Sequence, residues 1–201
     1  MTKLFIERGK KKMSNEYKDW ERDYIAEQNQ IVEKYPFLRA RGIDGEIDYE
    51  DKFPMMGLEI PNGWFKLFYQ MCDDIKPIIE DQGLMANFYF LQVKEKYNQL
   101  RCYASIDVPE IDEILDKYEQ MASQVCVQCG APASKITSGY IASICDDCWK
   151  DNFRYDKSIK KLNPTTSYIR IRFGINGDTK EEISFEDEWN RYLNSYMRGK
   201  I

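Results

Sequence analysis

The sequence predicts an α+β fold in which mostly antiparallel hairpins pack with amphipathic helices, with an embedded four-cysteine zinc loop. Three observations lead to this prediction. Apolar residues recur at helical spacing in several segments, strand-like segments come in pairs joined by turn residues, and two C-x-x-C pairs stand fifteen residues apart. No succession of strands and helices resembles a βαβ series.

The first predicted elements lie before residue 61. Residues 1–13 are polar and basic, so we expect a mobile tail there. Apolar positions at helical spacing from Tyr17 onward predict a helix that ends at the Tyr35-Pro36 break. The Gly- and Asp-rich stretch over residues 37–53, FLRARGIDGEIDYEDKF, predicts no regular structure.

The central elements follow the turn-forming stretch Pro61-Asn62-Gly63. One apolar stripe predicts a helix that Pro77 should kink or end, with these stripe members: Trp64, Leu67, Phe68, Met71, Cys72, Ile75, Ile78 and Ile79. The segments NFYFLQV and LRCYASI then predict two strands with KEKYNQ as a hairpin connection. Asp107 is expected to cap a helix over residues 109–125 that leads directly to Cys126.

The last elements follow Trp149. The alternating stretch YIRIRFGI, the turn signal Asn176-Gly177 and the returning stretch EEISF predict a second hairpin, and a final helix carries Trp189. We therefore divide the chain into a tail (1–13), an α+β core (14–148) that includes the zinc loop 126–148, and a C-terminal part (149–201) with a basic segment, a β-hairpin and a helix.

The two cysteine pairs are typical of a structural zinc site, and the predicted ligands are Cys126, Cys129, Cys145 and Cys148. Each C-x-x-C turn presents two thiolates about 4 Å apart to one tetrahedral ion, and Gly130 lets the chain turn back around the metal. We expect one zinc per chain; iron in a rubredoxin-like site and a pair of redox dithiols are the alternatives. Asp146 and Asp147 are expected to face solvent, and Cys72 and Cys102 to pack in the core.

Composition narrows the classes of function. The chain has 201 residues, 34 acidic against 29 basic side chains and a net charge of -5, so contact with nucleic acid would need a local basic patch. It contains no histidine, which excludes Ser-His-Asp, Cys-His and H-E-x-x-H sites within the chain. We therefore expect a protein that is not an enzyme, with carboxylate- or lysine-based catalysis as the remaining enzymatic alternative.

Two basic stretches are candidate binding surfaces. Lys94, Lys96 and Arg101 cluster near the predicted hairpin turn, where they could meet a phosphate or an acidic partner or could simply be solvated. The second stretch, over residues 149–172, interleaves cations with aromatic residues as nucleic-acid-binding surfaces do. Its candidate binding residues are Trp149, Arg154, Lys160, Lys161, Arg170 and Arg172. Acidic stretches elsewhere in the chain make self-association a further alternative.

Three segments together resemble a family of small phage and prophage proteins: GLEIPNGWFKLFYQMCDDI, QVKEKYNQLRCY, and CVQCGAP followed by CDDC. That family joins a G-W-aromatic helix, a K-E-K-F-G-x-L-R hairpin and a cysteine-pair metal loop, and it has no assigned function. The similarity covers about residues 35–148. The shared positions are Gly63, Trp64, Lys94, Lys96 and Arg101, while Tyr97-Asn98 replaces Phe-Gly.

Together these observations predict a zinc-stabilised, zinc ribbon-like accessory protein of the phage type. Its expected partner is a host or phage macromolecule, in the first place a protein, bound to modulate host processes or defence. The alternative is a nucleic-acid- or nucleotide-binding protein that uses the 149–172 stretch. No apolar stretch approaches the roughly 20 residues that a transmembrane helix needs, and the paired cysteines are typical of a reducing compartment, so we expect a cytoplasmic protein.

Overall fold

The structure confirms the predicted α+β class. The computed structural model describes residues 30–41, 45–47, 58–152, 159–172 and 177–198. Residues 30–34 are helical, and short 3₁₀ turns span Pro36–Leu38 and Asn62–Trp64. The other helices are α1 (Phe65–Asp81), α2 (Pro109–Ala122), α3 (Asp146–Asn152) and α4 (Glu186–Arg198). The strands are β1 (Leu58–Glu59), β2 (Phe90–Lys96), β3 (Gln99–Ala104), β4 (Lys135–Ile136), β5 (Ser143–Ile144), β6 (Lys160–Lys161), β7 (Ser167–Arg172) and β8 (Thr179–Ser184).

The described strands form three small sheets. Strands β1, β2 and β3 lie side by side in that order, β5, β4 and β6 form a second sheet, and β7 pairs with β8. Among these pairs only β1 with β2 is parallel, and it places Leu58 opposite Val93. Two strands of the second sheet, β4 and β5, lie inside the cysteine loop, so this sheet belongs to the loop rather than to the main core.

The β2–β3 hairpin closes through a two-residue turn at Tyr97 and Asn98. Both residues have positive φ, 54° and 64°, as a type I′ turn requires, and asparagine tolerates this conformation better than most residues. Strand pairing continues to Lys96 opposite Gln99. The connection is therefore shorter than the predicted stretch KEKYNQ, because residues 94–96 belong to β2 and Gln99 belongs to β3.

The main core lies between α1, α2 and the β1–β3 sheet. The predicted stripe of α1 is buried, apart from Ile78, which is half-buried. From α2, Ile111, Tyr118 and Met121 are fully buried in the same cluster. Phe37 also joins this cluster, with its ring centroid 6.0 Å from that of Phe90. The stretch predicted to lack regular structure thus contributes to the core and begins with a 3₁₀ turn.

The C-terminal helix packs on the same core. Trp189 and Tyr192 of α4 are buried among residues of α1 and α2. The Arg191 guanidinium and the Tyr118 hydroxyl both hydrogen-bond the Asp74 carboxylate, which links α4, α2 and α1. Residues 186–198 therefore share their core with residues that precede the cysteine loop.

Both boundaries of α2 differ from those predicted, and of the two outcomes predicted at Pro77, a kink or an end of the helix, the end is wrong. Helix α1 continues past Pro77 to Asp81, because buried Ile79 keeps the last turn packed on the core. The N-cap of α2 is Val108 rather than Asp107, and no side chain caps the helix. Pro109 occupies the first turn, where its fixed φ is already helical. The same helix ends at Ala122, three residues before its predicted end.

Several predicted features lie outside the described residues. They are the tail over residues 1–13, the beginning of the first helix from Tyr17, and Asn176 of the second hairpin turn. The end of the first helix is described: residues 30–34 are helical, and Pro36 begins a 3₁₀ turn, as the Tyr35-Pro36 break predicted. Within the described ranges, every helix is too short or too polar to cross a bilayer.

Candidate metal centre

Four cysteine side chains meet at one point. Cys126 and Cys129 lie on a turn that follows α2, Cys145 follows β5, and Cys148 lies in α3. Their Sγ atoms all lie within 4.8 Å of one another, and those of Cys129 and Cys145 are 3.6 Å apart. A tetrahedral ion with metal–sulfur bonds of about 2.3 Å places its ligands roughly 3.8 Å apart. The four sulfurs are therefore close enough to bind one metal ion.

Each cysteine pair sits on a tight backbone turn. The N–H of Gly130 donates to the carbonyl of Cys126 (3.0 Å), and the N–H of Trp149 donates to the carbonyl of Cys145 (3.0 Å). The N–H of Cys148 lies 3.4 Å from Sγ of Cys145. Gly130 has a φ of 76°, the left-handed conformation that glycine adopts without strain, as its predicted role in turning the chain requires.

The surroundings of the sulfurs suit a bound cation. Cys126 and Cys145 are buried, Cys148 is half-buried and Cys129 is exposed. Burial raises the pKa of Cys145 and Cys148. Burial also acts on Cys129, but the N–H of Ala131 and the neighbouring thiols outweigh it, so the pKa of Cys129 is lowered. Four thiolates this close repel one another, so the set can ionise fully only around a positive ion.

The first contact that holds this centre comes from the start of α1. The N–H of Gly63 donates to the carbonyl of Val127 (2.9 Å). A Cβ on Gly63 would lie 2.0 Å from the carbonyl oxygen of Cys126, so only glycine fits there. The fully buried Trp64 donates its indole N–H to the carbonyl of Val125 (3.1 Å). Gly63 and Trp64, two positions that the chain shares with the resembling family, thus hold the turn that carries the first cysteine pair.

The second contact comes from the C-terminal helix. The hydroxyl of buried Tyr192 donates to the carbonyl of Gly130 (2.5 Å). Tyr196, one turn further along α4, packs against the small apolar cluster around the cysteines. A Cβ on the same glycine would lie 2.7 Å from the carbonyl oxygen of Gly63 and 3.2 Å from the Tyr192 hydroxyl. The first cysteine turn is therefore enclosed between α1 and α4.

The third contact comes from the β2–β3 hairpin, through Asn98. This side chain is 3% exposed. Its Oδ1 accepts a hydrogen bond from the N–H of Ser143 (2.8 Å), and its Nδ2 donates to Oγ of the same serine (2.7 Å). The Ser143 hydroxyl also donates to the carbonyl of Ser123, so loss of the carboxamide would leave the N–H of Ser143 buried and unpaired. The turn residue thus also connects the hairpin to the second half of the cysteine loop.

The neighbouring carboxylates and the two isolated cysteines lie where the sequence predicted. The side chains of Asp146 and Asp147 are 57% and 86% exposed, and Asp146 pairs with Lys135. Cys72 is fully buried in α1, and Cys102 packs against the same core from β3. Burial raises the pKa of both thiols, as expected of unreactive core cysteines.

The structure brings the three hairpin cations together. Lys94 lies opposite Arg101 in the register, and Lys96 lies two residues along, so all three side chains share one face. Arg101 is paired with Glu119 of α2, at an N–O distance of 2.9 Å. Lys96 lies over the ring of Tyr97, with 5.8 Å from Nζ to the ring centroid. That this face binds a partner stays a prediction.

The basic stretch 149–172 is distributed over several elements. Trp149 lies in α3, Lys160 and Lys161 form β6, Arg170 and Arg172 lie in β7, and Arg154 lies outside the described residues. The side chain of Arg170 is 11% exposed and bonds Glu113 and Asp116 of α2, both at 3.0 Å. Its charge is therefore taken up within the protein, whereas Lys160 and Lys161 are exposed. The structure does not present Arg170 beside those lysines as one open cationic surface.

Sequence reasoning missed three residues that position the metal loop. The sequence indicates Asn98 only as a turn residue, and it predicts no role for Ser143 or Tyr192. The sequence carries one signal at Asn98, where the resembling family has glycine. Because the turn can form without a side chain at this position, the asparagine indicates a further contact. Ser143 and Tyr192 carry no such local signal, since their partners lie far away in the sequence.

Comparisons with known proteins bring no further information on the site. No family model, curated protein or solved structure matches the chain. The resemblance to the phage and prophage family remains a prediction that rests on the quoted segments.

Proposed function

We propose that this chain is a zinc-stabilised, non-enzymatic accessory protein of the phage type that binds a host or phage protein. The observation that carries the proposal is the four-cysteine cluster, whose Sγ atoms all lie within 4.8 Å of one another. A metal held by four sulfurs has no open position for water or substrate, so its role is to stabilise the fold. The phage origin rests on the sequence resemblance alone.

Zinc is the ion that this ligand set favours. Thiolates select zinc or iron over magnesium and calcium, which prefer oxygen ligands. A C-x-x-C pair on each side of a loop is the usual arrangement of structural zinc. Iron in a rubredoxin-like site is the alternative, and it differs from zinc in absorbing visible light.

A binding role is supported by what the loop and the hairpin expose. Tyr97 and Tyr140 are 72% and 73% exposed, although Tyr97 lies in a two-residue hairpin turn and the Tyr140 carbonyl accepts a hydrogen bond from Thr137. Tyrosine is enriched at protein interfaces, because its ring gives a large contact area and its hydroxyl a hydrogen bond. The metal would then serve to hold these turns in place.

Two measurements test this proposal. Elemental analysis of gently purified, reduced protein should find one zinc per chain; a metal-free protein would refute the metal assignment. Tagged protein from host lysate, treated with nuclease, should retain a partner protein that rebinds in purified form. Loss of all bound material on nuclease treatment would refute the protein partner.

The alternative, nucleic-acid or nucleotide binding, is favoured by one arrangement in the second sheet. Lys135 lies directly opposite Lys161, and Lys160 is adjacent. Nζ of Lys135, which pairs with Asp146, lies 5.0 Å from the Trp149 ring centroid, so among the described contacts the unpaired charge is that of the two exposed lysines. Cations beside an aromatic ring suit a nucleotide. Fluorescence anisotropy with single-stranded oligonucleotides should then show an affinity that falls steeply with salt. Equal affinity of the Lys160→Glu, Lys161→Glu double variant would contradict this alternative.

A further inference from the structure

We propose that the hairpin turn and the outer end of the cysteine loop form one docking surface for an acidic segment of a partner protein. The tip surface, as we name it, consists of Lys96, Tyr97, Tyr140 and Ile141. It rests on the proposed function, because it specifies where and by what chemistry the protein partner is bound.

One carboxylate joins Tyr140 to the hairpin turn that carries Tyr97. The hydroxyl of Tyr140 donates to Oε2 of Glu95 (2.8 Å), and the N–H of Asn98 donates to Oε1 of the same side chain (2.6 Å). Tyr97 immediately precedes Asn98 in the turn. The Tyr140 hydroxyl of the cysteine loop and the Asn98 N–H of the hairpin turn therefore bind the two different oxygens of the Glu95 carboxylate.

Both tyrosines are held in place from the backbone side. Tyr97 occupies the first position of the two-residue turn, and the next side chain, Asn98, is buried against the loop. At the loop end, the hydroxyl of Thr137 donates to the carbonyl of Tyr140 (2.5 Å) and accepts from the N–H of Ala142 (2.8 Å). Residues whose backbone is fixed before binding lose less conformational entropy on association, which favours the use of their side chains as interface anchors.

The charges of the tip surface favour an acidic partner. Lys96, the last residue of β2, is exposed and lies over the ring of Tyr97, and Lys94 lies on the same hairpin face. Glu95 already accepts two hydrogen bonds, and Arg101 is paired with Glu119. The charge left to a partner is therefore positive and small. Proteins that bind nucleic acid tightly neutralise about 6–10 phosphates, more than two lysines can supply, so a protein segment fits better.

The metal loop determines whether this surface exists. Ser143, which Asn98 binds, lies two residues before the ligand Cys145. Tyr140 lies three residues before Ser143 in the same loop. Among the described contacts, its hydrogen bond to Glu95 is the only one that joins it to the hairpin. Opening the four-cysteine cluster would therefore separate Tyr140 from the turn of Tyr97.

The test uses full-length, zinc-loaded protein and a displayed library of random 16-residue peptides. Enriched peptides should combine Asp and Glu with an apolar or aromatic residue. Their synthetic forms should bind at least about tenfold more weakly to Lys96→Glu and to the double variant Tyr97→Asn, Tyr140→Ser. Asparagine at 97 keeps the left-handed turn. The matched controls, Lys180→Glu and Met197→Ser, change exposed residues elsewhere and should bind like the wild type.

Each other outcome has a defined meaning. Circular dichroism and zinc content must be unchanged in every variant, so a loss of affinity is not a loss of fold. Equal affinity of the tip variants, enrichment of basic peptides or no enrichment would overturn the tip surface. Competition by a twenty-nucleotide thymidine oligomer would also overturn it and support nucleic acid. Peptides that bind the protein at another surface would leave the proposed function intact, whereas a metal-free native protein would contradict the function itself.

Discussion

The β2–β3 hairpin and the stretch 149–172 both interleave cations with aromatic residues, yet the structure uses their cations differently. In the hairpin, Lys94 and Lys96 stay on the outer face while polar Asn98 turns inward to the metal loop. In β7, Arg170 turns inward to two carboxylates of α2, while Ile169 is 56% exposed. The comparison shows that the neighbouring element, rather than the cation itself, decides which face of a strand is buried.

The partner of each region explains the difference. Helix α2 presents Glu113 and Asp116 to β7, so the arginine finds two opposite charges there and the apolar face is left outside. The cysteine loop presents an N–H and a hydroxyl of Ser143, which suit the acceptor and the donor of a carboxamide, whereas a lysine has no acceptor for the N–H. The two regions therefore make separate predictions about stability.

Removing the metal should produce the largest difference between the two regions, because it should reduce hydrogen-exchange protection in the cysteine loop and not in β7. In Cys126→Ser or chelated protein, the amides of the cysteine loop and of Asn98 should lose hydrogen-exchange protection by about 100-fold or more. The amides of β7, paired with β8, should keep theirs. Hydrogen-exchange mass spectrometry measures both. Cys102→Ser, outside the cluster, is the matched control, and an equal loss across the whole chain would contradict this separation.

The next largest effect is expected at Gly63. Its Cβ would meet backbone atoms, the carbonyl oxygen of Cys126 at 2.0 Å and the nitrogen of Gly130 at 2.7 Å. Backbone cannot move aside as a side chain can, so Gly63→Ala should cost about 3 kcal/mol of unfolding free energy. Urea denaturation measures it. Gly83→Ala, where a Cβ meets nothing within 4 Å, should cost only about 1 kcal/mol from its positive φ, and equal costs would disprove the argument.

A smaller effect is expected at Asn98. Asn98→Gly keeps the left-handed turn but leaves the buried N–H of Ser143 without its acceptor, which should cost about 2 kcal/mol. Tyr97→Gly changes the adjacent turn position, whose side chain is exposed, and should alter stability by less than about 1 kcal/mol. Thermal or urea unfolding of the pair provides the comparison. If both glycine variants are equally stable, the hairpin does not hold the loop.

The smallest effect concerns β7. Arg170→Gln removes the partner of two half-exposed carboxylates, so it should cost about 1–2 kcal/mol, less than a fully buried pair would. Lys161→Gln changes an exposed side chain and should stay within about 0.5 kcal/mol. Added salt should reduce the difference between the two variants. An Arg170→Gln variant as stable as the wild type would show that this arginine is not committed to α2.

Local patterns in the sequence were sufficient for α1, α2, α4, the two hairpins and the four cysteines, but they did not predict α3 or the short strands β1, β4, β5 and β6. The C-x-x-C spacing and the stripe from Trp64 to Ile79 each depend on residues that are near one another in the chain. The approach of Gly63 to Cys126 and that of Asn98 to Ser143 were not predictable, because each joins distant segments and no residue type marks the pair. The inward turn of Arg170 likewise depends on where α2 lies, which strand alternation does not specify.

The close approach of Gly63 to Gly130 also leads us to expect an order of events during folding. The cysteine turns are local, so a metal ion can be captured as soon as residues 126–148 exist. Docking of that loop joins Trp64 to Val125, which are 61 residues apart, and long-range closure of this kind is slow compared with local structure formation. The backbones of Gly63 and Gly130 lie in direct contact. The loop can therefore dock only when the backbone just before α1 has its final conformation. We expect metal capture to precede docking, and docking to limit the rate at which the native protein forms.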